Sequence, residues 1–161
     1  MPLPLARVLA LLERLAPRRY AESWDNVGLL LGVPETPAEP APISRVLFTI
    51  DLTEAVLEEA RAARVELVVA YHPPLFSPLR KLDTTTPTGR VLLGAARAGI
   101  AVYSPHTALD AAPGGVNDWL AAGVGAGSSA PLVDAAVLDS NAELKLVTFV
   151  PAENADRLHA A

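Results

Sequence analysis

The chain is 161 residues long, 51% hydrophobic, without cysteine and with a formal charge of −5. That length fits one domain, or one domain with part of a second, and the apolar content is too high for a disordered chain. The absence of cysteine excludes a disulfide framework, thiolate metal ligands and a cysteine nucleophile, and an acidic chain whose two lysines are Lys81 and Lys145 offers no broad basic face, so nucleic acid is not an expected partner.

The first predicted element is an amphipathic helix. Leu5, Val8, Leu9, Leu12 and Leu15 recur at helical spacing and Pro17 ends the run. Most basic residues of this segment follow the apolar run, the reverse of a secretory signal, and no stretch reaches the ~18 uncharged apolar residues of a membrane span. The absence of cysteine fits a cytoplasmic location. A polar stretch, residues 22–26, leads into the apolar run 27–31, and Pro34, Pro37, Pro40 and Pro42 mark a loop.

Strands and helices then alternate. Residues 45–50 read as a buried strand. Residues 53–63 read as a helix with Val56, Leu57, Ala60 and Ala63 on one face, and residues 66–70 as a second strand. Pro73, Pro74 and Pro78 force a loop. A helix over 87–98 stops at Gly99, with Gly89 and Gly94 as its weak points, and residues 100–103 form a third strand. A short helix over 116–122 follows Gly114 and Gly115. This order predicts an α/β domain over residues 1–125, a parallel or mixed sheet with helices on both faces. Residues 126–140, rich in small residues, read as a linker. Residues 141–161 read as one strand and the start of a helix, too little to enclose a core, hence the start of an incomplete second domain.

The polar groups that could carry chemistry fall at strand ends. The histidines are His72, His106 and His159. His72 and His106 follow two of the predicted strands, Asp51 follows another, and Asp110 lies four residues beyond His106. In a parallel sheet these positions meet at the carboxyl edge, where ligand sites form. Imidazole and carboxylate without thiolate suit zinc, manganese, iron or a similar divalent ion. Plainer readings stand beside this one. Asp51, with Glu54 three residues on, can cap the helix at 53–63. His72 can be a loop residue bonded to backbone, and His106 and Asp110 can be turn and cap residues. His159 reads as an exposed helix residue, Trp24 and Trp119 as packing anchors, and Gly114-Gly115 as a tight turn. Neither Gly-x-Ser-x-Gly nor His-Glu-x-x-His occurs, so serine hydrolase and metalloprotease readings lack support.

Three stretches, ESWDNVG at 22–28, YHPPLF at 71–76 and SPHTALD at 104–110, with AAPGGVNDWL at 111–120 continuing the last, resemble the GTP cyclohydrolase 1 type 2 homologues. These are also called Ngg-interacting-factor-three-like dinuclear-metal proteins. The resemblance spans about residues 1–125. It implies a cytoplasmic α/β protein that assembles with itself into a toroidal hexamer around divalent metal, two ions per full-length subunit. Carried over residue by residue, His72 and Asp110 match metal ligands, and His106 matches the neighbouring histidine that ligates or supports them. No ligand role carries over to Asp51. Tyr71 stands where many members have a first histidine, and the family's later His-x3-Glu has no counterpart in this sequence. Residues 144–161 resemble the opening of a ferredoxin-like α+β insert, so the sequence reads as an N-terminal portion. The function implied is a metal-dependent hydrolase acting on a nucleotide. The alternative is a non-catalytic scaffold or regulatory interaction module with a structural or absent metal.

Overall fold

The structure, a computed structural model, describes residues 1–33 and 41–130. The expected insert at 141–161, most of the expected linker and His159 lie outside the described residues. In chain order the elements are β1 (Leu3–Pro4), α1 (Leu5–Leu15), a 3-10 turn (Arg18–Tyr20), β2 (Gly28–Leu31), β3 (Pro42–Ile43), β4 (Val46–Thr49), α2 (Glu54–Ala62), β5 (Leu67–Ala70), α3 (Pro87–Ala98), β6 (Ala101–Ser104), α4 (His106–Ala111) and α5 (Val116–Val124).

Four strands form one sheet in the order β2-β6-β5-β4. β4, β5 and β6 run parallel, while β2 runs antiparallel to β6. The sheet is therefore mixed. β5 and β6 are buried at every residue, which is why their sequences lack polar alternation. Val68, Ala70 and Val102 face a core with Leu57 and Ala60 of α2 and Val91 and Ala95 of α3. Leu67, Val69, Ala101 and Tyr103 face the opposite core, closed by Leu5, Val8, Leu9 and Leu12 of α1. Helices thus cover both faces. β1 and β3 make a separate two-stranded ribbon that pairs Leu3 with Ile43. Two residues per strand, one of each pair a proline, gave no periodic signal in the sequence.

The helix ends follow local chemistry. Thr53, not Asp51, caps α2, its side chain accepting from the Val56 amide at 3.3 Å. Thr86 caps α3 by accepting from the Gly89 amide at 3.0 Å, Pro87 opens the helix, and Gly99 ends it in the left-handed region at φ 68°. α5 runs to Val124, two residues past its expected end, and so takes in Gly123. α4 was not expected as a helix, because six residues carry too little pattern to stand out.

The two glycines inside α3 have a packing reason. A Cβ on Gly94 would come within 2.6 Å of Leu57 Cδ2, so the missing side chain lets α2 and α3 approach. A Cβ on Gly89 would lie 1.8 Å from the Asp83 carbonyl oxygen, where the incoming loop crosses the helix start. These obstacles differ in kind, since a leucine methyl can turn aside and a backbone carbonyl cannot. We expect Gly89→Ala to cost about 1–3 kcal/mol despite the better helix propensity of alanine. Gly94→Ala should change stability by less than about 1 kcal/mol. Urea unfolding of both variants checks the order, and equal costs would refute the packing explanation.

Candidate functional site

The sheet topology brings four chain segments to one edge. β4, β5 and β6 all end there, and antiparallel β2 begins there, its Gly28 paired with Ser104 at the end of β6. Residues after three strands and the residues before β2 are thereby neighbours.

Beyond β5 the backbone keeps its ladder with the β4 side for two more residues. The Tyr71 amide donates to the Thr49 carbonyl and the His72 amide to that of Ile50, each at 2.9 Å. This fixes the start of the loop that carries the His72 ring. The ring's Nδ1 lies 2.8 Å from Asp51 Oδ1. Of the two readings for Asp51, helix cap or member of a polar edge, the structure shows the second: it pairs with His72 at the edge.

β6 passes through Pro105 directly into α4. His106, the first residue of α4, sits at φ 32°, a left-handed conformation unusual for a side chain of this size. Its Nδ1 lies 2.8 Å from Asp25 Oδ1. The other Asp25 oxygen accepts from the Thr107 amide at 3.2 Å and from the Thr107 hydroxyl. The Asn26 amide donates to Oδ1 at 2.7 Å. The Asp25 side chain has no solvent exposure. Burial pushes its carboxyl upward, but the hydrogen bonds from His106, Thr107 and Asn26 outweigh that and hold it below its ordinary range.

A carboxylate can only accept, so in both pairs the histidine Nδ1 carries the proton and donates it. In a neutral ring the lone pair then sits on Nε2. Neither Nε2 has a hydrogen-bond partner among the described residues. The two imidazoles stand 5.7 Å apart between centroids, at 80°.

Tyr71 packs against both, its ring 5.0 Å from that of His72 and 5.7 Å from that of His106. Its hydroxyl donates to Asp110 Oδ1 at 2.5 Å, and its carbonyl accepts from the Ser104 hydroxyl at 2.9 Å. Burial, and then the Asp110 acceptor, push the phenol up to about 12. The group is therefore neutral at physiological pH and acts as a donor to Asp110.

His72, His106 and Asp110 are thus brought to one edge, and Tyr71 connects them. Among the described residues, no three His, Asp or Glu side chains form a ready metal-holding cluster. Asp25 was missed as a site residue. Its signal was an acidic residue inside a short polar stretch between a helix and a strand, but nothing local said that the next strand would run antiparallel. Trp24 and Trp119 are not packing anchors, being 61% and 73% exposed.

Residues 4–157 match the family described as Duf34/NIF3 (NGG1p interacting factor 3). NIF3-like protein 1 of Homo sapiens is 43% identical over 128 residues, which covers 80% of this chain and 33% of that protein. The GTP cyclohydrolase 1 type 2 homolog of Bacillus subtilis is 36% identical over 155 residues, covering 96% of this chain and 39% of that one. The crystal structure of a Bacillus cereus protein related to NIF3 superposes with a TM-score of 0.68 at 33% identity, over 76% of this chain and 32% of its own. The chain spans about a third to two-fifths of the length of these relatives.

The Asp25 network makes a prediction about acid stability. Folding holds this carboxyl below its unfolded value, so its contribution is full above the ordinary carboxylate range. It is lost as pH falls through the depressed native value. Asp25→Ala strips partners from His106, Thr107 and Asn26 and should cost about 2–4 kcal/mol near neutral pH. Urea unfolding across pH should show the gap between wild type and variant closing in acid. A gap independent of pH would mean that the carboxylate charge plays no part.

Proposed function

The chain belongs to the Duf34/NIF3 family, and on that premise we propose that its sheet edge is one side of a divalent-metal centre with His72, His106 and Asp110 as donors, in a metal-dependent hydrolase acting on a nucleotide. The observation that carries the reading is the doubled arrangement of Asp51 with His72 and Asp25 with His106. Each carboxylate takes up the Nδ1 side of a ring and leaves Nε2 without a partner, the pattern of imidazoles prepared for a metal. Asp110 adds negative charge and an oxygen, Oδ2, that has no partner among the described residues. The donor set is nitrogen and oxygen, which fits zinc, manganese or iron.

When bound, such an ion supplies Lewis acidity and a more acidic coordinated water. The chain's own residues orient and exclude. Asp25 and Asp51 hold the imidazoles, and Tyr71 holds Asp110 with a neutral phenol. These donors are a partial set for the two ions that the family resemblance implies. Further donors are expected from outside the described residues, and self-assembly into the toroidal hexamer belongs to this reading. The name of the Bacillus subtilis relative, a GTP cyclohydrolase 1 type 2 homolog, supports a nucleotide as substrate. Among the described residues no helix is long and apolar enough to cross a membrane, and we place the protein in the cytoplasm.

The second reading is a scaffold or regulatory interaction module with a structural or absent metal. It is favoured by Tyr71, whose phenol occupies one Asp110 oxygen at the position where a second imidazole would strengthen the site.

Metal content of purified protein, measured by elemental mass spectrometry, tests the metal centre. Wild type should carry divalent metal and the double variant His72→Ala, Asp110→Ala at least ~10-fold less. Tyr71→His, which adds an imidazole and frees Asp110, should raise the metal bound per chain. Equal content in wild type and the double variant would sink the metal reading. Incubation of the metal-loaded protein with GTP over a series of metals then separates the two readings: turnover supports the hydrolase, and none across the series supports the scaffold.

A further inference from the structure

Next to the His106 ring, which Trp24 and Phe76 both meet, lies a cavity of ≈ 550 Å³ that the metal donors do not line. Trp24, Asn26, Leu31, Phe76, Leu79 and Leu92 are among the residues that line it. Trp24 and Phe76 are 61% and 48% exposed, so both rings present apolar surface to whatever enters. Their centroids lie 6.1 Å apart with the rings inclined at 65°. Each also meets the His106 ring at a steep angle, Trp24 at 6.4 Å and 77°, Phe76 at 6.3 Å and 90°. Rings set at steep angles form a corner, in which a flat guest lies against one ring while its edge meets the next.

The corner is rigid where it joins the site. Asn26 Nδ2 donates to the Leu75 carbonyl at 2.5 Å, tying the segment before β2 to the loop after β5. The backbone amide of the same residue belongs to the network that buries Asp25. The remaining amide atom, Asn26 Oδ1, has no partner among the described residues. Asn26 is, with Asp25 and Ser77, one of the polar residues of a mostly apolar lining. An aliphatic side chain from another protein would fill the hollow but leave that carbonyl without a hydrogen bond, which is unfavourable.

We propose that this cavity binds the flat heteroaromatic ring of a small-molecule substrate, held against Trp24 and Phe76 with a ring N–H donated to Asn26 Oδ1. The inference builds on the hydrolase reading in one respect, that the chemistry takes place at the neighbouring His72, His106 and Asp110 edge. Ring binding itself needs no metal. Trp24 and Asn26 are then residues that select the ring and position it beside His106, a role the metal donors do not have.

Guanosine serves as the probe and ribose, which lacks the ring, as its control. In a Trp119→Phe background Trp24 is the remaining tryptophan, so its fluorescence reports the cavity. Guanosine should quench it saturably, with chelator present as well as absent, and ribose should not. By calorimetry, Trp24→Ala should weaken guanosine binding by ~10-fold to 100-fold, and Trp24→Phe should recover part of the loss. Because Trp24 is exposed, the variant should keep the wild-type urea midpoint, and its metal content should equal that of wild type. No saturable quenching, equal affinity of Trp24→Ala and wild type, or equal binding of ribose would overturn the proposal. Since binding is read with metal stripped, a failed metal reading leaves this result standing, and absent ring binding leaves the metal content untouched.

Discussion

A carboxylate removed from solvent must find its hydrogen bonds inside the protein, and Asp25 finds them in two places. Its own turn supplies the Asn26 amide, while α4 supplies His106 and the amide and hydroxyl of Thr107. The bonds join segments about eighty residues apart in sequence. They also account for the conformation of His106. A side chain held at φ 32° costs on the order of 1–3 kcal/mol and persists only where its surroundings over-determine it. Here the Nδ1 contact below and the buried Pro105 and Ala108 on either side do so. Thr107 closes the arrangement by accepting from the Glu22 amide at 3.0 Å. The site wall formed by His106 is therefore a consequence of burying one charge.

The direction of β2 makes that burial possible. Had β2 run parallel to β6, residues 24–26 would sit at the opposite end of the sheet from His72 and His106. Antiparallel pairing of Gly28 with Ser104 puts them at the same end. Gly28 takes φ 97°, and a Cβ there would come within 3.0 Å of the Arg18 Cδ. The chain thus enters the strand from a turn that a larger residue would strain. One strand direction supplies the buried carboxylate, the tryptophan and the asparagine.

Much of the scaffold was legible in the sequence for a common reason: long apolar periods survive any tertiary context. The helix at 87–98 matches α3 end to end, because Pro87 and Gly99 mark its boundaries by their own backbone preferences. β4, β5 and β6 were visible as short apolar runs without polar alternation. The carboxyl edge then followed from parallel topology, and with it the meeting of Asp51, His72, His106 and Asp110. What stayed hidden depended on partners distant in sequence. The β1 and β3 ribbon holds through its pairing alone. Asp51 looked like a cap because the residues after it form a helix, yet Thr53 is nearer the helix start and Asp51 is left to pair with the ring across the strand end. The exposure of Trp24 was invisible for the same reason, since whether a tryptophan is covered is decided by the loop opposite, not by its neighbours.

The two Asp–His pairs have the same 2.8 Å contact but not the same physical weight. In the pair at His106 the carboxylate is wholly buried and the imidazole 19% exposed, whereas at His72 the figures are 63% and 49%. An exposed pair is screened by water and holds its geometry weakly. A buried pair resists displacement because breaking it leaves a charge without compensation. The site therefore has one fixed imidazole, set by the fold, and one that can re-aim at small cost. Tyr71 stands between them with a phenol that stays protonated and touches both rings. Its hydroxyl is committed to Asp110 and so makes no hydrogen bond to either ring. Of the two rings, that of His72 is the one whose reorientation would leave the buried hydrogen bonds of Asp25 in place.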